Sequence, residues 1–217
     1  MKQYLPPPPA GSTVIHVDEH CIVADKPTGL LSVPGRGPGK EDCLAARVQA
    51  EFADALIVHR LDMDTSGLLL LARGAPMQSA LSRLFREREV DKRYVAVVHG
   101  LVADDAGEVN LPLICDWPNR PRQIVEHAIG RPSLTRYRVL ARDPAANTTR
   151  VELEPVTGRT HQLRVHMATL GHPILGDELY GGPATRLAER LLLHAMELAF
   201  VHPATGEALQ FRAEPPF

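Results

Sequence analysis

Two charged side chains, Arg60 and Asp62, stand two residues apart in the stretch His59-Arg60-Leu61-Asp62-Met63-Asp64-Thr65-Ser66-Gly67. On an extended segment that spacing puts a guanidinium and a carboxylate on the same side. A carboxylate fixed there can serve as nucleophile, base or counter-charge, or the two can simply form a local ion pair. Asp64 ahead of Thr65-Ser66-Gly67 is ordinary turn chemistry and is assigned to the turn. Asp62, read as closing the incoming strand, is the candidate for chemistry.

Such a pair needs a mount. An apolar segment at 55–58 enters the polar knot, and Leu68-Leu69-Leu70-Leu71-Ala72 leaves it. That pattern predicts two buried strands joined by a tight loop, a rigid support for side chains. Residues 13–17 and 21–25 alternate like a hairpin, ended by Lys26-Pro27-Thr28-Gly29. The glycines at 35–39 lack the Gly-Lys-Ser/Thr ending of a phosphate cradle and read as a surface loop. A helix is expected from Asp42 to about Phe52, with Leu44, Val48 and Phe52 on one stripe. A second opens at Pro76 and turns Met77, Leu81, Leu84 and Phe85 inward.

Further on, residues 90–98 read as a strand and 111–122 as a loop. Strands follow at 134–140 and 149–155. Residues 157–167 form a turn into a short helix with Leu163, Met167 and Leu170 inward, stopped by Gly171. Residues 198–201 and 208–212 are the last strands. No regular βαβ alternation appears. The expectation is one α+β domain over 13–217, built on a largely antiparallel mixed sheet with flanking helices, after a proline-rich tail at 1–12.

The chain has 217 residues, 44% hydrophobic and 23% charged, in the range of a soluble globular protein. No apolar run approaches a membrane span, and the N-terminus lacks a signal-peptide core, so the cytoplasm is expected. Cys21, Cys43 and Cys115 are odd in number and widely spaced, which suits a reducing compartment. Among ten histidines, His161 and His166 lie five apart, about 140° off alignment on a helix. No HExxH occurs, and no metal is expected. A net charge of −2 hides local basic runs. Residues 116–138 carry five arginines (Arg120, Arg122, Arg131, Arg136 and Arg138) against two acids, with Trp117 and Tyr137 among them. Arginine with aromatics is the composition of RNA contact surfaces.

His-Arg-Leu-Asp-x-x-Thr-Ser-Gly-Leu-Leu-Leu-Leu-Ala resembles the active-site motif of the RluA family of RNA pseudouridine synthases. Five further segments resemble the family in order. They are Asp-Lys-Pro-Thr-Gly-Leu at 25–30, Lys-Arg-Tyr-Val-Ala at 92–96, Thr-Gly-Arg-Thr-His-Gln-Leu-Arg-Val-His at 157–166, Gly-His-Pro-Ile-Leu-Gly-Asp at 171–177, and Leu-Leu-Leu-His-Ala at 191–195. Residues 113–121 resemble the family's dual-specificity branch. The resemblance implies the pseudouridine synthase fold, here without an S4-type RNA-binding domain. It implies action on uridine 32 of a tRNA anticodon stem-loop and uridine 746 of a 23S rRNA hairpin loop.

Within the resemblance, Asp62 is the catalytic carboxylate, acting at C1′ as nucleophile or at C2′ as base. Tyr94 stacks on the target uracil, and Arg164 pairs with Asp62. Arg60 enters the RNA as the uridine flips out, and His59 supports the loop. Leu192 or Leu193 supplies an apolar wall, an assignment that core packing explains equally well. Arg120 and Arg122 are candidates for phosphate or loop-base contacts. The isomerisation changes no redox state and adds no water, so no cofactor is expected. Two other readings are a non-catalytic RNA-binding protein on this scaffold and a metal-dependent hydrolase using the histidines.

Overall fold

The computed structural model describes residues 4–9 and 14–217, so the expected strand start at Thr13 and half of the tail lie outside the described residues. The chain divides into two compact units, one of Met1–Lys92 with Ala195–Pro216, the other of Arg93–His194 with Phe217.

In the first unit β1 (Val14–Val17) and β2 (Cys21–Lys26) form the expected antiparallel hairpin. Helix α1 (Leu44–Gln49) follows, shorter than the sequence suggests because Cys43, not Asp42, caps it through its sulfur. Phe52 falls beyond its end. Then come β3 (Ala55–Ile57) and β4 (Ser66–Arg73), paired antiparallel. Leu68, Leu69, Leu70 and Leu71 are all buried, which is why β4 reads as an unbroken apolar run rather than an alternation. Each contributes about 2 kcal/mol on burial.

Helix α2 (Ala75–Glu87) opens with Pro76 and ends at Arg88 in a left-handed cap. It lays Leu81 and Leu84 on a core that also holds Cys21, Val23, Leu70 and Phe200, with Met77 and Phe85 partly buried at its edge.

The second unit is built largely of antiparallel sheet. Strand β5 (Asp91–His99) is followed by β6 (Ala106–Asn110), β7 (Leu113–Cys115) and β8 (Gln123–Val125), then β9 (Leu134–Asp143) and β10 (Thr148–Pro155). Its main strands lie in the order β5, β10, β9, β6, every neighbour antiparallel. Strand β10 alternates buried Thr149, Val151 and Leu153 with outward Arg150, Glu152 and Glu154, as its period of two requires.

Helix α3 (Gln162–Thr169) packs Leu163 and Met167 on this unit's own core. Leu170, expected inward, is 39% exposed because the helix has ended at its position. Strand β11 (Leu193–Val201) then pairs with β12 (Ala208–Arg212) in the first unit. It runs unbroken from Leu193, so the sequence places its start too late.

Two further expectations need correction. Residues 111–122 are not all loop: β7 and β8 pair as a small hairpin whose tip is a 3-10 turn over Trp117–Asn119. Tyr137 is not a surface aromatic. It sits at 8% exposure in the core of the second unit, where its ring lies against Gly107.

Candidate active-site residues

Strand β3 ends at Ile57, so Arg60 and Asp62 stand on a loop rather than at a strand's end. What fixes that loop is the segment after β2. The buried Lys26 ammonium donates to the carbonyl oxygens of Pro27 at 2.9 Å, Leu30 at 2.7 Å and Met63 at 2.8 Å. Ser32 accepts from the Leu61 N–H at 3.1 Å and donates to the Leu61 oxygen at 2.8 Å. Thr28 donates to the Asp64 oxygen at 2.7 Å. The main chain is therefore tied down on both sides of Asp62. Behind it Thr65 N–H closes a turn onto the Asp62 oxygen at 3.2 Å.

Ser66 and Gly67 then enter β4. A Cβ on Gly67, whose φ is +110°, would stand 2.3 Å from the Ala195 oxygen, so only glycine passes. Asp62 itself is half-buried and Arg60 exposed.

His59 has a supporting geometry. Its Nε2 accepts from the Leu70 N–H at 2.9 Å, next along β4 from the last β3–β4 pair, Ile57 with Leu71. The ring stacks on Phe85 with centroids 4.3 Å apart. Burial, with the Lys92 ammonium nearby, pushes its pKa down to about 3. A neutral imidazole is what an acceptor at Nε2 requires.

In the second unit Arg164 is buried on α3 at 3% exposure, not a solvated helix residue. Its Nε and Nη2 meet the two carboxylate oxygens of Asp177, each at 2.8 Å. Asp177 also accepts from the N–H groups of Leu179 and Tyr180. Burial alone would raise its pKa; the Arg164 contacts outweigh that and hold the carboxyl below its usual range. The preceding Gly176 (φ +73°) brings the chain so close to Arg190 that a Cβ would lie 1.8 Å from its carbonyl oxygen.

The rest of the Thr157-to-His166 segment anchors α3. Gln162 takes Thr157 Oγ1 and the Arg159 N–H on its oxygen, and gives its amide hydrogens to Leu134 O and Thr135 Oγ1. His166 bonds Thr135 Oγ1 and Leu111 O. Asp177, Lys26 and Gln162 were not singled out from sequence, although all three lie inside segments that carried the resemblance.

Tyr94 is half-buried at the edge of the second core, and Leu193 is a core residue at 3% exposure. Leu192 is half-buried, and its backbone bonds Val97 and Leu175. Arg120 and Arg122 are exposed on the β7–β8 hairpin. Arg136 and Arg138, counted with them as basic, are spoken for. Arg136 meets Glu108 at 2.7 Å and Arg138 meets Glu152 at 3.1 Å.

The histidines suspected of metal binding have other partners. Tyr180 Oη accepts from the Gln123 N–H and shares a hydrogen bond with His161 Nδ1 at 2.7 Å. Among the described residues one group, His16, Asp18 and Cys21, could hold a metal ion. Asp18 Oδ1 there caps the N–H groups of His20 and Cys21, and Oδ2 takes His16 at 2.9 Å and the Cys21 thiol at 3.5 Å. Burial and the Asp18 charge push the Cys21 thiol up to about 12. This is a hydrogen-bonded cap of the β1–β2 turn, with its thiol protonated.

Comparison with known proteins agrees with this arrangement of segments. Residues 20–169 match the RNA pseudouridylate synthase family. A dual-specificity RNA pseudouridine synthase RluA from Pasteurella multocida (strain Pm70) is 54% identical over 215 residues, 99% of this chain and 98% of that protein. Its namesake from Escherichia coli (strain K12) is 49% identical over 218 residues, 100% of this chain and 99% of that one. Among solved structures, human RNA pseudouridylate synthase domain containing 1 superposes with a TM-score of 0.79 at 29% identity, covering 95% of this chain and 84% of that one. The α+β, mostly antiparallel architecture is that of these neighbours. The chain belongs to the RNA pseudouridine synthase family, enzymes that isomerise uridine in RNA.

Proposed function

We propose that this enzyme modifies structured RNA with dual specificity, at uridine 32 of tRNA and uridine 746 of 23S rRNA, and that Asp62 is its catalytic carboxylate. The observation that carries the role of Asp62 is the anchoring of its loop. Lys26, Thr28 and Ser32 bond the main chain of Met63, Asp64 and Leu61. A carboxylate that must meet one sugar carbon benefits from such a mount, because misplacement by about 1 Å can cost about a hundredfold in rate.

In the reaction the C1′–N1 bond breaks and a C1′–C5 bond forms. The C5 proton leaves, and N1 of the rotated uracil gains one. Glycoside hydrolases need a second carboxylate to protonate the leaving group. Uracil is a tolerable leaving group that never departs, so one carboxylate suffices, at C1′ or C2′. Tyr94 supplies the aromatic face for the base and Arg164 the buried cation. Arg60 enters the RNA as the uridine flips, at a cost of about a few kcal/mol. Arg120 and Arg122 bind the RNA outside the reacting nucleotide. The dual specificity is supported by the names of the two bacterial relatives and their near full-length match.

The test is tritium release from C5-tritiated uridine in a tRNA anticodon stem-loop and an rRNA hairpin, in EDTA, for the parent and Asp62→Asn. Release by the parent alone, from both RNAs, is expected. Release by Asp62→Asn within tenfold of the parent would remove Asp62 from the chemistry, and release from one RNA alone would remove the dual specificity.

A further inference from the structure

The chain has one tryptophan, and the fold spends it on the surface. An indole is among the largest apolar groups a core can use, yet Trp117 is 64% exposed at the tip of the β7–β8 hairpin. It is held there with care. Asp116 N–H bonds Arg122 O at 2.9 Å, Asn119 N–H bonds Asp116 O at 3.0 Å, and Arg122 N–H bonds Asn119 O at 3.1 Å, so the tip is closed on itself. The Asp116 carboxylate is engaged by the Asn119 amide at 2.9 Å.

Arg120 folds back over the indole, its guanidinium carbon 4.3 Å from the ring centroid and its Nε donating to Trp117 O at 3.2 Å. The guanidinium sits over one face of the ring, and the residue nonetheless remains 64% exposed. At the far end of the same tip, the Arg122 guanidinium carbon lies 5.3 Å from the centroid of the Tyr180 ring.

We propose that Trp117, backed by Arg120, is a stacking platform for an unpaired nucleobase of the substrate RNA, outside the pocket that takes the reacting uridine. The inference rests on the RNA-modifying reading above and adds a residue to it. A flat indole with a cation behind it suits the π-face of any base, and a base exposes that face only where it is unpaired. Arg120 then acts through the ring it backs rather than as a direct phosphate contact. Two arginines in the same short hairpin favour a polyanion over an apolar protein partner.

The single tryptophan makes the test direct. Its emission is followed while an anticodon-type stem-loop, or a fully paired duplex of the same composition, is titrated in. Filter retention measures binding independently, and tritium release is measured on the same preparations. Quenching by the stem-loop and little by the duplex is expected. Trp117→Ala is expected to weaken stem-loop binding by about tenfold, and Trp117→Phe by no more than about threefold. Stem-loop retention with unchanged emission would overturn the proposal, as would Trp117→Ala binding within twofold of the parent. Either result alongside normal tritium release would leave the catalytic reading standing; a parent protein that neither retained the stem-loop nor released tritium would bring down the two together.

Discussion

The ammonium of Lys26 lies 2.8 Å from the main-chain oxygen of Met63, the residue that follows Asp62. A fully buried lysine is rare unless its charge is met by good acceptors. Here the acceptors are three carbonyl oxygens, two from the turn after β2 and one from the loop of Asp62. The charge therefore welds two segments that are distant in sequence.

Lys26→Met should lose stability and activity together. Three carbonyl oxygens, that of Leu30 buried, lose a charged donor, a cost of about 3 kcal/mol, and the loosened loop lowers turnover by about a hundredfold. Urea unfolding and tritium release measure the two. A folded Lys26→Met protein with parent turnover would show that Asp62 does not depend on this anchor.

Asp177→Asn should remove the charge that meets Arg164 Nε and Nη2 in the second unit. Breaking one side of a buried, two-point ion pair costs about 3–5 kcal/mol. Replacing both partners, as in Arg164→Met with Asp177→Leu, should recover part of that stability but not turnover. A double-mutant cycle on unfolding free energy tests the coupling, and additive effects would refute it.

His59 gives the protein a predictable acid sensitivity. Its pKa is lower folded, about 3, than the ordinary value of 6.5. Between those values the unfolded chain binds a proton that the folded chain refuses, so stability falls as pH drops from about 6.5 towards 3. The urea midpoint of the parent should decline between pH 7 and pH 5. In His59→Gln that part of the decline should vanish, and an unchanged slope would contradict the assignment.

Arg60→Ala should leave folding untouched, since the side chain is exposed. Its expected defect is slower turnover on a structured stem-loop, by about tenfold or more, with a smaller loss on an unstructured oligomer whose uridine is already unstacked. Equal losses on both RNAs would argue against a role in flipping.

The sequence exposed the strands around the motif because β4 is apolar on both faces and β10 alternates. It could not expose β7 and β8, three residues each, among prolines and charges. Periodicity needs more than three residues to register. Arg60, Asp62 and Arg164 were legible as charges in motifs. Their supports were not, because Lys26 with Met63 is 37 residues apart and Gln162 with Leu134 is 28. Tyr137 misled for a related reason: its arginine neighbours face outward along β9 while the ring itself turns into the core.

The cap of the β1–β2 turn has a practical corollary for the whole chain. Cys21, beside Asp18, is fully buried and keeps its proton, and Cys43 is fully buried at the start of α1. Thiolate character and access govern alkylation, so the half-buried Cys115 is the favoured target. It lies two residues from Trp117 on the hairpin. A maleimide dye would therefore report from beside the indole, and energy transfer between the two would follow that hairpin without any engineered cysteine.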